Sequence, residues 1–230
     1  MAGELLFLHA QAMFLYGADG DMTCVNEPWD GKAPAPRAFL VRGVDGGELL
    51  RFRGDVPPEA RGRIRALCAA FPRAPGNPLP DGALTARVAL LLGGGFEAEA
   101  CYAPAGPLAE GAGCVLLQRE DLKAVTNRGF SWLSQELPMA SPCAAALEGG
   151  QAVSVCRSVR ITARAHEAGI ETLRDCRRRG HARAAFLTWA AAVRARGALP
   201  LYSALLENTA SRSLAESCGL TQYGVGVSFY

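Results

Sequence analysis

Ala165-His166-Glu167-Ala168-Gly169-Ile170-Glu171-Thr172-Leu173, followed at once by Arg177-Arg178-Arg179-Gly180-His181-Ala182-Arg183, reads as a strand running into a glycine-containing turn that opens a helix. The helix is predicted over 180–196, with Phe186, Leu187, Ala190 and Val193 on one face and Gly197 as its C-terminal cap. A strand over 199–206, a short helix over 209–217 stopped by Gly219, and a last strand over 222–229 complete the pattern. A helix start behind such a turn gathers several backbone N–H groups at one spot, together with the positive end of the helix dipole, which suits a diphosphate. The arginines beside it can add charge-assisted bonds to phosphate.

Upstream, residues 143–147, 152–161 and 165–173 read as a meander around Glu148-Gly149-Gly150. Strand, helix, strand after a meander predicts an α/β fold with mixed pairing. The first half is more broken. Residues 38–53 read as a hairpin around Asp45-Gly46-Gly47, and Pro57-Pro58-Glu59 opens a helix carrying Ile64, Leu67, Cys68 and Phe71 that ends before Pro72. Residues 72–82, with four prolines and two glycines, read as a loop, and 85–92 suits a strand or a helix before the Gly93-Gly94-Gly95 turn. After a breaker-rich segment over 104–113 and a short apolar run from Cys114, residues 119–137 read as a helix with Leu122, Val125, Phe130, Leu133 and Leu137 as its stripe. The expected organisation is an α+β region over 1–115, either a roof for the substrate or a degenerate copy of the second half, and the α/β domain over 116–230.

Half of the 230 residues are apolar, enough for one good core without metal or disulfide support. The eight cysteines are scattered, with no C-x-x-C pair and no ligand spacing to His9, His166 or His181, so no metal site and no disulfide framework are expected. Reduced thiols in a cytoplasm are the simplest expectation. The apolar start, Leu5 to Tyr16, is preceded by Glu4, interrupted by His9 and Gln11, and lacks the basic leader of a signal peptide. No run approaches the roughly 18 apolar residues of a membrane span. Residues 1–115 hold 10 Lys+Arg against 13 Asp+Glu, while 116–230 hold 14 against 9. The positive half suits a polyanionic cofactor and is too weakly charged, by itself, to signal nucleic acid.

The block 168–173 followed by R-x-x-G-x-A at Arg177, Gly180 and Ala182, then Pro200-Leu201-Tyr202-Ser203, Asn208-Thr209-Ala210-Ser211 and Cys218-Gly219-Leu220, resembles the GNAT superfamily of acyl-CoA-dependent N-acetyltransferases, in particular a bacterial subgroup with this "PLYS…N-x-x-S…G-L" ending. The resemblance covers 141–225. It implies a GNAT-type fold, with a mixed, mostly antiparallel central sheet flanked by helices. It also implies acetyl-CoA, or another acyl-CoA, as cofactor. Its diphosphate would rest on the backbone between Arg178 and Arg183, and its pantetheine arm along Ile170, Thr172 and Leu173 where that strand splays from 199–206. Arg177, Arg179, Gly180, His181, Ala182, Asn208 and Ser211 complete the expected cofactor set.

Amine attack on a thioester needs a neutral amine, a base to take its proton and something to hold the carbonyl oxygen. Strand periodicity puts Glu167, Gly169 and Glu171 on one face, with Glu171 as base or water-orderer and Glu167 as the second carboxylate; His166 projects to the other face. Many members of the superfamily carry a tyrosine as acid four residues before the glycine of the last helix. That position is Ala215, which leaves Tyr202 or Ser203 as substitute. The expected acceptor is a small-molecule amine, with no membrane partner, and nothing in the sequence specifies an oligomer. Two alternatives keep the fold. One takes an aminoacyl group from tRNA, through arginines 174, 177–179, 183, 194, 196 and 212; the other is a non-catalytic acyl-CoA-binding or partner-binding module.

Overall fold

The computed structural model describes residues 2–29, 31–71, 76–109, 111, 113–122, 126 and 128–230. Helix α1 (Ala2–Met13) leads into a small hairpin, β1 (Phe14–Tyr16) and β2 (Met22–Val25). Then come β3 (Ala38–Gly43), β4 (Glu48–Phe52), α2 (Pro58–Ala70), α3 (Gly82–Leu92), β5 (Phe96–Pro104) and β6 (Cys114–Leu116). A single turn α4 (Leu133–Glu136) precedes β7 (Cys143–Glu148), β8 (Gln151–Ile161), β9 (Ala165–Thr172), α5 (His181–Ala195), β10 (Leu199–Leu205), α6 (Thr209–Ser217) and β11 (Leu220–Phe229).

Nine strands form one sheet in the order β4-β3-β11-β5-β10-β9-β8-β7-β6. Every neighbouring pair in it is antiparallel except β9 and β10, which the α5 crossover joins in parallel. Strands from both halves of the chain alternate in this sheet: β5 sits between β10 and β11, and the expected boundary after residue 115 falls inside β6.

Two faces are covered differently. On one, α5 buries Phe186, Leu187, Trp189, Ala190 and Val193 among Ala144, Cys156, Ala168 and Tyr202, worth about 1.5–3 kcal/mol for each large apolar side chain. On the same face, α2 and α3 lay Ile64, Leu84 and Val88 over Leu40, Val225 and Val227. On the other, α1 packs Leu6 and Ala10 against Phe39, Val41, Cys101 and Leu201. A bulge at Tyr223 in β11, between Gln222 and Gly224, swings that ring onto the α1 face.

The strands and helices expected over 143–229 are present within a residue or two, and the 38–53 hairpin and the helix opened by Pro58 are also present. The ambiguous 85–92 segment is helix: α3 begins at Gly82, with the Asp81 carboxylate accepting from Ala83 N–H at 2.7 Å, and ends at Gly93 with φ +73°. The helix expected over 119–137 is corrected. Among the described residues, a 3₁₀ turn at Arg119–Asp121 with helical Leu122 and the one turn of α4 are present, and Phe130 between them takes φ +63°, which a right-handed helix cannot contain; residues 123–125 and 127 lie outside the described residues. Val125 of the expected stripe, residues 72–75 of the expected loop, and residues 110 and 112 of the expected breaker segment lie outside the described residues. Among the described residues, no helix is long and apolar enough to cross a membrane.

Candidate active site

β9 and β10 pair only at Leu199↔Ala165, Pro200↔His166 and Leu201↔Glu167; beyond that vertex they diverge. The wedge opens into a cavity of about 680 Å³. Ile170, Thr172 and Tyr202 line it from the strands, Asn208 and Ser211 from the start of α6, and the turn before α5 closes it.

That turn is built by unusual backbone. Leu173 and Arg174–Cys176 tighten into a 3₁₀ turn, Arg177 is extended, Arg178 takes φ +61° and Gly180 φ +85°. A left-handed conformation at a non-glycine residue is uncommon and costs on the order of 1 kcal/mol, and such strain gathers at ligand sites. The result is a row of N–H groups, from Arg178 to Arg183, that meets no acceptor among the described residues. Ala184 N–H is the first to close a helical bond, to Gly180 C=O at 3.0 Å. The Arg178 guanidinium also has no hydrogen-bonding partner among the described residues. The neighbouring side chains brace the turn: His181 Nε2 lies 2.8 Å and Arg179 Nη1 3.4 Å from Glu148 Oε1, and Arg183 Nε donates to Ser217 C=O at 2.7 Å. His181 and Arg179 hold the Glu148 carboxyl below its usual range.

The expected cofactor set is therefore divided. Ile170, Thr172, Arg177, Arg178, Gly180, His181, Ala182, Arg183, Asn208 and Ser211 converge on the cavity. Leu173 instead packs behind the sheet beside Val153 and Cys176, and Arg179 reaches over Glu148 and the Asp175 carbonyl. Asn208 is also the N-cap of α6, its side chain accepting from Ser211 N–H at 3.1 Å.

The four residues considered for chemistry occupy different places. Glu171 is exposed at the rim. Glu167, four residues deeper on the same face, sits at the vertex outside the cavity's lining and is 4% exposed, with neither carboxylate oxygen hydrogen-bonded among the described residues. Burial pushes its pKa up to about 7; His9 and Arg160 oppose the rise and Glu99 adds to it. The Ser203 hydroxyl eases the rise without completing a hydrogen bond. Tyr202 faces the cavity, its ring edge-on to Phe186 at 5.9 Å, and burial raises its phenol to about 12, with the Ser211 hydroxyl easing the rise. Ala215, where a tyrosine was the usual expectation, is buried in the core.

His166 is structural. Its Nδ1 lies 2.8 Å from Ser158 Oγ, which also accepts from Trp189 Nε1 at 3.0 Å. The sequence reading did not pick out His9, Glu99 or Cys101, which lie on the α1 face with ligand atoms within 4.8 Å of one another.

Residues 143–224 match the family model described as GNAT acetyltransferase. That segment of the chain belongs to the GNAT superfamily, and the mixed sheet with its one parallel, splayed pair is a GNAT-type fold carrying an acetyltransferase domain. Among solved structures, an acetyltransferase from the GNAT family of Colwellia psychrerythraea is 14% identical, over 94% of this chain and 84% of that one, with a TM-score of 0.49. A GCN5-related N-acetyltransferase-like protein from Streptococcus suis is 18% identical, over 85% of each chain, with a TM-score of 0.48. A GNAT-family protein from Novosphingobium aromaticivorans is 17% identical, over 58% of this chain and 63% of that one, with a TM-score of 0.46. No curated protein matches the chain in sequence.

Proposed function

We propose that the chain transfers an acetyl group from acetyl-CoA to the amine of a small molecule by direct attack. One observation carries the reading: a strained turn presents unengaged N–H groups, from Arg178 to Arg183, to a cavity in the wedge between β9 and β10. Those groups fit a diphosphate, and the Arg178 guanidinium is free to join them. Along the wedge, the edge of β9 past Glu167 has no partner strand on its β10 side, so its backbone groups are open to an amide-bearing arm. The thioester supplies the activated acetyl group.

The chain's own groups divide the remaining work. Glu167, with a pKa near the working pH and no hydrogen bond to give up, takes the proton of the attacking amine. Tyr202, held neutral by its raised pKa, offers its O–H to the departing sulfur in place of the tyrosine that Ala215 replaces. Glu171, exposed at the rim, is better placed to meet a cationic acceptor on its way in than to act as base.

The tRNA-donor alternative needs free arginines, yet Arg183, Arg194 and Arg212 each donate to a backbone carbonyl. The non-catalytic alternative gives no reason to bury an unpaired carboxylate, which is costly. The test is release of free thiol from acetyl-CoA against a panel of small amines. Release above the hydrolysis background, lost in Glu167→Gln, is expected; background release with every amine overturns the reading.

A further inference from the structure

The α1 face of the sheet holds a second group of reactive side chains, separate from the cavity at the turn. Glu99 and Cys101 are alternate residues of the central strand β5 and so project to the same side. His9, on α1, is fully buried directly above them, its ring set between Phe39 and Tyr223 with centroids 5.8 Å and 6.0 Å away. His9 Nε2 lies 3.3 Å from Glu99 Oε1 and 3.6 Å from Cys101 Sγ.

Both spacings lie within hydrogen-bond range, and all three ligand atoms also lie within reach of one ion. A charge-assisted imidazole–carboxylate bond closes to about 2.7–2.9 Å, so the 3.3 Å contact is a long one. They also match two edges of a coordination tetrahedron, with the Glu99 and Cys101 ligand atoms within 4.8 Å of each other. Bonds of about 2.0 Å to nitrogen and oxygen and about 2.3 Å to sulfur set N···O near 3.3 Å and N···S near 3.6 Å.

Charge points the same way. Among the described residues Glu99 has His9 as its one ion-pair partner, and Glu167, on the same face, has none. A buried carboxylate and a thiolate need a compensating charge, and one divalent cation between Glu99 and Cys101 would supply it for both.

We propose that His9 Nε2, Glu99 and Cys101 Sγ form a binding site for a zinc-class divalent ion, with the fourth position open to water. Imidazole and thiolate select a borderline first-row metal over calcium or magnesium, which prefer all-oxygen sets. Cys101 binds as the thiolate, its proton passing to solvent. The Glu99 side chain, 17% exposed, is the ion's route in from water. The proposal is independent of the acyl-transfer reading, because its readout is metal binding.

The probe is Co²⁺ added to chelator-stripped full-length protein and followed by absorbance. One equivalent should produce tetrahedral visible bands and a thiolate-to-cobalt charge-transfer band, both removed by Zn²⁺. Cys101→Ser should lose the charge-transfer band, and Glu99→Gln, at a partly exposed position, should keep the fold and weaken Co²⁺ binding at least tenfold. No bands at millimolar Co²⁺, or a charge-transfer band undiminished in Cys101→Ser, which would place the metal on another cysteine, overturns the proposal. Should Cys101→Ser not fold, unchanged affinity in Glu99→Gln overturns it equally.

Discussion

The two faces of the sheet at the β9–β10 vertex bury polar side chains in opposite ways. Under α5, Trp189, Ser158 and His166 form a closed chain of hydrogen bonds at 3.0 Å and 2.8 Å. Under α1, Glu167, His9 and Tyr223 each keep a buried polar atom without a partner among the described residues. Neighbouring residues of one strand, His166 and Glu167, thus meet opposite fates. A satisfied buried network rigidifies; an unsatisfied one costs stability and is kept where it serves a ligand or a reaction. The difference marks the α1 side of the vertex as the place where an uncompensated carboxylate is kept, while the cavity and Tyr202 lie on the α5 side.

The largest expected effect sharpens this contrast at Glu167. Replacing it with Gln should lower kcat/KM by about 10²–10⁴-fold, the range of general base catalysis, with CoA affinity retained. The same residue gives a stability signature. Its carboxyl is raised from 4.5 to about 7 in the folded state, so between those pH values the native protein holds a proton that the unfolded chain has lost. Stability therefore falls as pH rises through that window, by roughly 3 kcal/mol in all, while activity climbs through pH 7 as the base ionises. His9, also raised, acts in the same direction. Chemical denaturation at pH 5 and pH 8 should show the loss in the wild type and a smaller one in Glu167→Gln.

At the turn, Arg178→Ala should weaken CoA binding by about 10–100-fold by calorimetry, the weight of one or two charge-assisted bonds. Tyr202→Phe should lower kcat by about tenfold with CoA affinity unchanged; an unchanged kcat would remove the phenol from the mechanism. The smallest effect on turnover tests the satisfied face. Ser158→Ala should cost about 1–3 kcal/mol in denaturant titration by stranding Trp189 N–H and His166, and leave the pH–rate profile where it was. A shifted profile would break the contrast between the faces.

The sequence made the second half legible because its signals are local. The stripe of α5, the caps Asn208 and Gly197, and the turn glycine Gly180 each act within a few residues. Periodicity also sorted His166 from Glu167 correctly by face. It could not give depth: β9 runs from the buried vertex to an exposed rim, so Glu167 and Glu171 look alike in sequence and differ in burial. The insertion of β5 between β10 and β11 depends on pairing across more than a hundred residues, and no local pattern encodes it. For the same reason His9 did not stand out, since Glu99 and Cys101 are about ninety residues away and only the sheet brings them together.

The most direct measurement compares CoA with pantetheine, its arm without the diphosphate, as ligands in thermal unfolding. A melting temperature that rises with CoA and stays nearly fixed with pantetheine at equal millimolar concentration is the expected result, because the N–H groups from Arg178 to Arg183 are spent on the diphosphate. Equal shifts from the two compounds, or none from either, would contradict the account.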